Sequence, residues 1–144
     1  MTATSGTHIN LGGIDVQFLV EAHESDGAAT VFECAVAGGA MVPPPHSHDA
    51  FDETVYGLEG VLTFTIDGSA REIGPGDSVC IRRGQVHQFV NPGNVDAKFL
   101  SVATPGVFGP AYFTEIRDVL TAAGGPPDVG ALLEVMRRHG LTPA

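Results

Sequence analysis

From Ile14 to Ala103 the chain is written in short β-forming runs, each closed off by glycine, proline or aspartate. Ile14–Phe18 alternates apolar and polar residues, and Val31–Val36 is rich in β-formers. Val61–Ile66 runs straight into Asp67-Gly68, a strong two-residue hairpin signal. Ser78–Arg82, Val86–Val90 and Lys98–Ala103 complete the series. Runs this short, spaced at roughly ten residues, predict an all-β sandwich or barrel and exclude a helical bundle. The 19 glycines and 10 prolines in 144 residues supply the turns that such a fold consumes.

The pattern changes after Pro105. Gly109-Pro110 opens a helix with proline in its first turn, and Tyr112, Ile116, Val119, Leu120 and Ala123 fall on one face of it. Gly124-Gly125-Pro126-Pro127 ends that helix. Asp128 is a fitting N-cap for a second, whose apolar stripe is Val129, Leu132, Leu133 and Met136. Arg137, Arg138 and His139 occupy its last turn, where cations favour the helix dipole, and Gly140 follows as a C-terminal cap. Helices this short need a partner. The expectation is one domain: a barrel over residues 1–106 and a helical tail over 107–144 packed on it.

Charge narrows the partners. Seven Lys and Arg against 17 Asp and Glu give a net charge of −10, which repels phosphate backbones and anionic lipid, so neither nucleic acid nor a membrane surface is expected. No apolar stretch is long enough to span a bilayer, and the first residues carry no basic, apolar leader, which points to the cytoplasm with both thiols reduced. Cys34 and Cys80 are too few for a disulfide scaffold and are expected to be small buried hydrophobes.

The chemistry concentrates in Pro43-Pro44-Pro45-His46-Ser47-His48-Asp49-Ala50-Phe51-Asp52-Glu53. In a strand, positions i and i+2 share a face, so His46 and His48 aim two imidazoles at one point. Glu53, five residues on, can return a carboxylate from a new strand, and Asp52 competes with it for that role. His87 is a third imidazole. Three histidines and one carboxylate make a mixed nitrogen and oxygen site suited to a divalent first-row metal. His8, His23 and His139 have no such partner spacing and are expected in solvent.

The spacing around these residues is specific. Gly39 is followed after six residues by His46-Ser47-His48, after four more by Glu53, and after six more by Gly60. Gly76 is followed after five residues by Arg82-Arg83-Gly84, after two more by His87, and after three more by Asn91. These two blocks resemble the paired motifs of the cupin superfamily, with one extra residue after Gly39 and Arg82 in place of a proline. The tail resembles that of single-domain, quercetinase-like cupins. The resemblance implies a small antiparallel β-barrel, a double-stranded β-helix of jelly-roll kind. It also implies one divalent metal per chain (Fe, Mn, Ni, Co, Cu or Zn) held by His46, His48, Glu53 and His87, and a homodimer.

Strand parity puts Phe51 beside Glu53, and Gln85 and Phe89 beside His87, as candidate pocket residues. Phe108 and Tyr112 are candidates for its mouth. Arg82 could anchor an anionic substrate. Tyr56 and Phe64 are expected to pack. A six-coordinate ion with four protein ligands keeps two positions free, enough for an enolate or diol and dioxygen, whereas zinc with four ligands would be a closed site. The leading expectation is a metal-dependent dioxygenase acting on a small enolisable or aromatic compound, with Glu53 as general base. The alternatives are an isomerase, cyclase or lyase without redox chemistry, and a non-catalytic small-molecule-binding protein.

Overall fold

The structure is a computed structural model and describes residues 6–144. The first residues of the chain, where the lack of a leader is expected, lie outside the described residues. Ten strands come first: β1 (His8–Asn10), β2 (Ile14–Val20), β3 (Thr30–Val36), β4 (His46–His48), β5 (Asp52–Glu59), β6 (Leu62–Ile66), β7 (Ser69–Ile73), β8 (Ser78–Ile81), β9 (His87–Val90) and β10 (Ala97–Thr104). Then come α1 (Pro110–Ala123), α2 (Val129–Arg138) and a last strand, β11 (Leu141–Pro143).

The strands form two antiparallel sheets, ordered β1-β2-β3-β10-β5-β8 and β11-β4-β9-β6-β7. They are the two walls of a flattened barrel that hydrogen bonds leave open at its edges. Inward residues alternate along each strand: Phe32, Cys34 and Val36 on β3, Phe99, Ser101 and Ala103 on β10, and Leu62 and Phe64 on β6 are all buried. One apolar core fills the space between the sheets. A slip of one residue would turn these sets outward, so burial itself holds the register.

Two turns show how local chemistry shapes the walls. Asp67 and Gly68 both take left-handed backbone angles (φ 48° and 83°), the conformation a tight two-residue hairpin between β6 and β7 requires. Gly60 sits at φ 64° where β5 meets the start of β10, and a Cβ there would come within 2.6 Å of the Asp96 carbonyl.

The tail packs on the open end. Pro110 opens α1, and Gly124 closes it at φ 61°. Asp128 caps α2 by accepting from the Ala131 N–H at 3.1 Å. Phe113 meets Phe18 and Phe32 at ring separations of 5.9 and 5.5 Å, and Val135 and Met136 are buried. Beyond α2 the chain returns as β11, which pairs with β4 and sets Leu141 opposite His48. No helix among the described residues is long and apolar enough to cross a membrane.

Three expectations need correction. Cys80 is exposed, because β8 is an edge strand and Cys80 alternates with the inward Ile81. Tyr56 points off the outer face of β5 and does not pack in the core. Val129 is 61% exposed: α2 turns its middle to the barrel, so Val135 and not Val129 carries the stripe.

Candidate metal centre

Four side chains converge from both sheets. β4 and β9 are hydrogen-bonded neighbours with His46 opposite His87, and His48 lies one alternation further along β4, so three imidazoles share one face. Their ring centres lie 4.5–5.1 Å apart, and one ligand nitrogen from each falls within a 4.8 Å cluster. Glu53 comes from β5 in the facing sheet, opposite Ala103 of β10. Its Oε1 stands 3.8 Å from Nε2 of both His48 and His87.

The imidazoles are set to give lone pairs. Nδ1 of His46 lies 2.9 Å from the Pro44 carbonyl, and Nδ1 of His87 lies 3.0 Å from the Gln85 carbonyl. A carbonyl can only accept, so Nδ1 carries the proton and Nε2 keeps its lone pair. His48 is held differently. Its ring stacks on Phe51 at 4.2 Å, and its buried Nδ1 has no partner. Burial, reinforced by the neighbouring imidazoles, pushes His46 down to about 4 and His48 down to about 2, so both stay neutral in ordinary buffers.

Glu53 is held from behind. Ser101, fully buried on β10, donates to Oε2 at 2.5 Å and leaves Oε1 turned to the histidines. Burial pushes the carboxyl up, while His87 and the Ser101 hydrogen bond pull the other way. These donors fit a divalent first-row ion. The 3.8 Å separations are too wide for hydrogen bonds, yet two donors each about 2 Å from a shared ion lie up to about 4 Å apart. Imidazole nitrogens with free lone pairs and a buried carboxylate are what such an ion requires.

Asp52 faces away. Its carboxylate takes the Arg83 backbone N–H at 2.9 Å and pairs with the guanidinium at 3.2 Å, which fastens the turn before His87 to the start of β5. Those bonds hold Asp52 below the usual carboxylate range. Arg82 and Gln85 lie in this outer turn, where they line a separate surface cavity with Asp52 and Arg83 and not the cavity before the donors. The Arg82 N–H donates to Gln85 Oε1 at 2.8 Å, and Gln85 Nε2 donates to Asp67 at 3.2 Å. β9 begins only at His87, so strand parity does not reach back to Gln85. The Arg82 bond is one a proline could not make. Asn91, from the second motif, is structural: its amide donates to the Val36 and Val95 carbonyls at 2.9 and 2.8 Å.

The cavity in front of the donors is apolar. Seven of the chain's eight phenylalanines line it, Phe51, Phe64, Phe89 and Phe108 among them, together with Tyr112. Two polar-facing residues were not foreseen from the sequence, Ser101 and Cys34. Ser101 had a signal: a serine on the inward parity of an otherwise apolar strand, between Phe99 and Ala103. Of the other histidines, His8 pairs with Asp15 at 2.8 Å, His139 contacts Glu115, and His23 is exposed.

Known proteins agree with this architecture. Residues 32–103, half of the chain, match the Cupin domain family, and the chain belongs to it. Over 69 residues it is 33% identical to quercetin 2,3-dioxygenase of Bacillus subtilis, covering 48% of this chain and 20% of that protein. Over 86 residues it is 29% identical to the tetracenomycin polyketide synthase protein TcmJ of Streptomyces glaucescens, covering 59% of this chain and 58% of that protein. The chain thus spans less than two thirds of the length of either curated relative. Among solved structures it is similar to a sugar phosphate isomerase of the cupin superfamily from Silicibacter pomeroyi (TM-score 0.57, 29% identity, 65% of this chain and 60% of that one). It also shares the fold of KdgF from a Halomonas species (TM-score 0.61, 20% identity, 69% and 86% covered).

Proposed function

We propose that this protein is a metal-dependent dioxygenase acting on a small enolisable or aromatic compound, with the ion held by His46, His48, His87 and Glu53. The observation that supports it most is the pairing of three buried imidazoles and one carboxylate with a wall of phenylalanines. A bound first-row ion would supply Lewis acidity and redox chemistry beside two non-protein positions. The chain's own part is narrower. Phe51, Phe89 and Phe108 exclude water from the space before the donors and pack on the reacting end of the substrate. Glu53, whose affinity for protons burial has raised, takes a proton from an acidic carbon or hydroxyl, with Ser101 fixing the carboxylate. The likeness to quercetin 2,3-dioxygenase supports this reading.

A second reading is proton transfer at the same site without dioxygen, as in an isomerase or cyclase. The raised proton affinity of Glu53 favours it, because a base of that kind needs no oxidant. Oxygen uptake by iron-, manganese-, cobalt- and nickel-loaded protein with a panel of enols and diketones separates the two. Uptake coupled to substrate loss supports the dioxygenase. Substrate conversion at the same rate without oxygen overturns it in favour of the second reading. A homodimer belongs to the same proposal, and light scattering at micromolar concentration tests it.

A further inference from the structure

The cavity in front of the metal donors is small, about 70 Å³. By comparison, an apolar protein cavity of roughly 150 Å³ is one that binds benzene. The space before the donors therefore takes a few heavy atoms and not a whole ring. It does not end there. A second apolar cavity, of about 150 Å³, lies between the Met41–Pro44 segment, the β1–β2 turn and the two tail helices. The two cavities share five lining residues, Leu11, Ile14, Pro43, Tyr112 and Ile116. Those five form a neck between a donor-bearing chamber and an outer one lined mainly by apolar side chains.

Tyr112 marks the neck. It is 4% exposed and belongs to both walls, and burial alone pushes its phenol above the ordinary value, with no hydrogen bond contributing. A tyrosine shared by both walls sets the width of whatever passes from one cavity to the other. The outer chamber opens at Met41, which is 68% exposed, whereas Leu132 and Met136 of α2 close its far side.

We infer that the outer chamber is the second half of the ligand site, and that the ligand joins a small two-oxygen head, seated before the metal donors, to an apolar ring or chain that passes Tyr112 into the space under α2. The head's seat rests on the metal reading above, but the outer chamber does not. Substrate selection then lies with the walls of the outer chamber: the sheets hold the head, and Leu132 and Met136 of α2 together with Met41 before β4 choose the body.

A matched pair of enolisable diketones tests this. Acetylacetone carries the head alone, and benzoylacetone adds one phenyl ring. Calorimetric titration of both into cobalt-loaded wild type, Leu132→Trp and Met41→Trp protein reads the chamber directly. Met41 is at the surface, so its substitution keeps the test valid if Leu132→Trp does not fold. The expected result is that wild type binds benzoylacetone at least tenfold tighter than acetylacetone, and that each Trp variant loses that advantage while acetylacetone binding and cobalt content stay unchanged. Equal affinity of wild type for the two compounds, or undiminished benzoylacetone binding by the variants, overturns the inference. Failure of the metal reading shows separately, as absence of bound cobalt or of any change in its absorption bands with acetylacetone. In that event the benzoylacetone titration of metal-free protein still decides, since loss of binding in the Trp variants supports the chamber and no loss overturns it.

Discussion

The two sides of the site are built by different means. The inner side stands on β4, β5, β9 and β10, each hydrogen-bonded to neighbours within its sheet. His46 faces His87 across one ladder, and Glu53 is set by register between β10 and β8. The outer side is α1 and α2, which touch the barrel through side chains such as Phe113 and Met136, with backbone ties from β11 and the residues flanking it, Gly140 and Ala144. Ladders fix positions to fractions of an ångström, while side-chain packing tolerates re-sorting. The candidate donors and the phenylalanines beside them therefore belong to the part that cannot drift, and the helical cover of the outer cavity to the part that can. Metal binding should respond to the sheets, and ligand choice to the tail.

The sharpest break would come at β4. A His46→Ala, His48→Ala double variant should lose nearly all bound metal, from about one ion per chain to under a tenth, because two of the three imidazole donors go at once. Elemental analysis after purification without chelator measures it, and equal metal in both proteins removes the site. Glu53→Gln tests the facing sheet. It keeps the shape and an oxygen but loses the charge and the base, so metal should fall in part while turnover falls on the order of 10²-fold or more. Full activity with full metal would show that Glu53 is neither base nor needed ligand.

Acid should separate the two regions as well. In metal-free protein, His46 and His48 hold native values of about 4 and about 2, below the ordinary 6.5. The native state then binds fewer protons than the unfolded chain below about pH 6.5, so the stability from these neutral imidazoles is whole above that pH and is lost as pH falls toward 4. The loss from His46 alone is on the order of 3 kcal/mol, at 1.36 kcal/mol per pKa unit. Denaturant midpoints between pH 7 and 4 should fall in wild type and much less in His46→Ala. A flat profile in wild type would contradict the burial of these rings. Met136→Ala probes the tail by comparison. Met136 is 1% exposed, so the cavity should cost about 2–4 kcal/mol while metal content holds. Loss of metal in the folded variant would mean that the sheets do not hold the donors unaided.

The same division decides how much could be foreseen. The donors were legible because they sit in two short blocks with fixed spacing, and both helices were legible because Pro110, Gly124 and Asp128 cap them locally. What escaped is what depends on distant pairing. β11 is three residues ending in a proline, and it is a strand because β4 is beside it. The serine that orients Glu53 lies 48 residues away in sequence, and the two meet where β10 runs beside β5. Gln85 lies off the cavity before the donors because its turn bonds override the alternation that starts at His87.

The mildest test concerns the cap of α2. Asp128 Oδ1 accepts from the Ala131 N–H at 3.1 Å, one of the donors that a helix start leaves without a partner. Asp128→Ala should cost about 1 kcal/mol. Its consequence should not stop at stability, because Leu132 sits one turn further along and lines the outer chamber. A frayed first turn lets Leu132 move while His46, His48, His87 and Glu53 stay on their strands. Asp128→Ala should thus melt a few degrees lower, keep its metal, and bind benzoylacetone more weakly with acetylacetone unaffected. Asp128→Asn or Asp128→Ser, which restore a capping oxygen, should recover both the melting temperature and the benzoylacetone affinity. If the cap changes melting but leaves both ligands untouched, α2 covers the barrel without choosing what enters it.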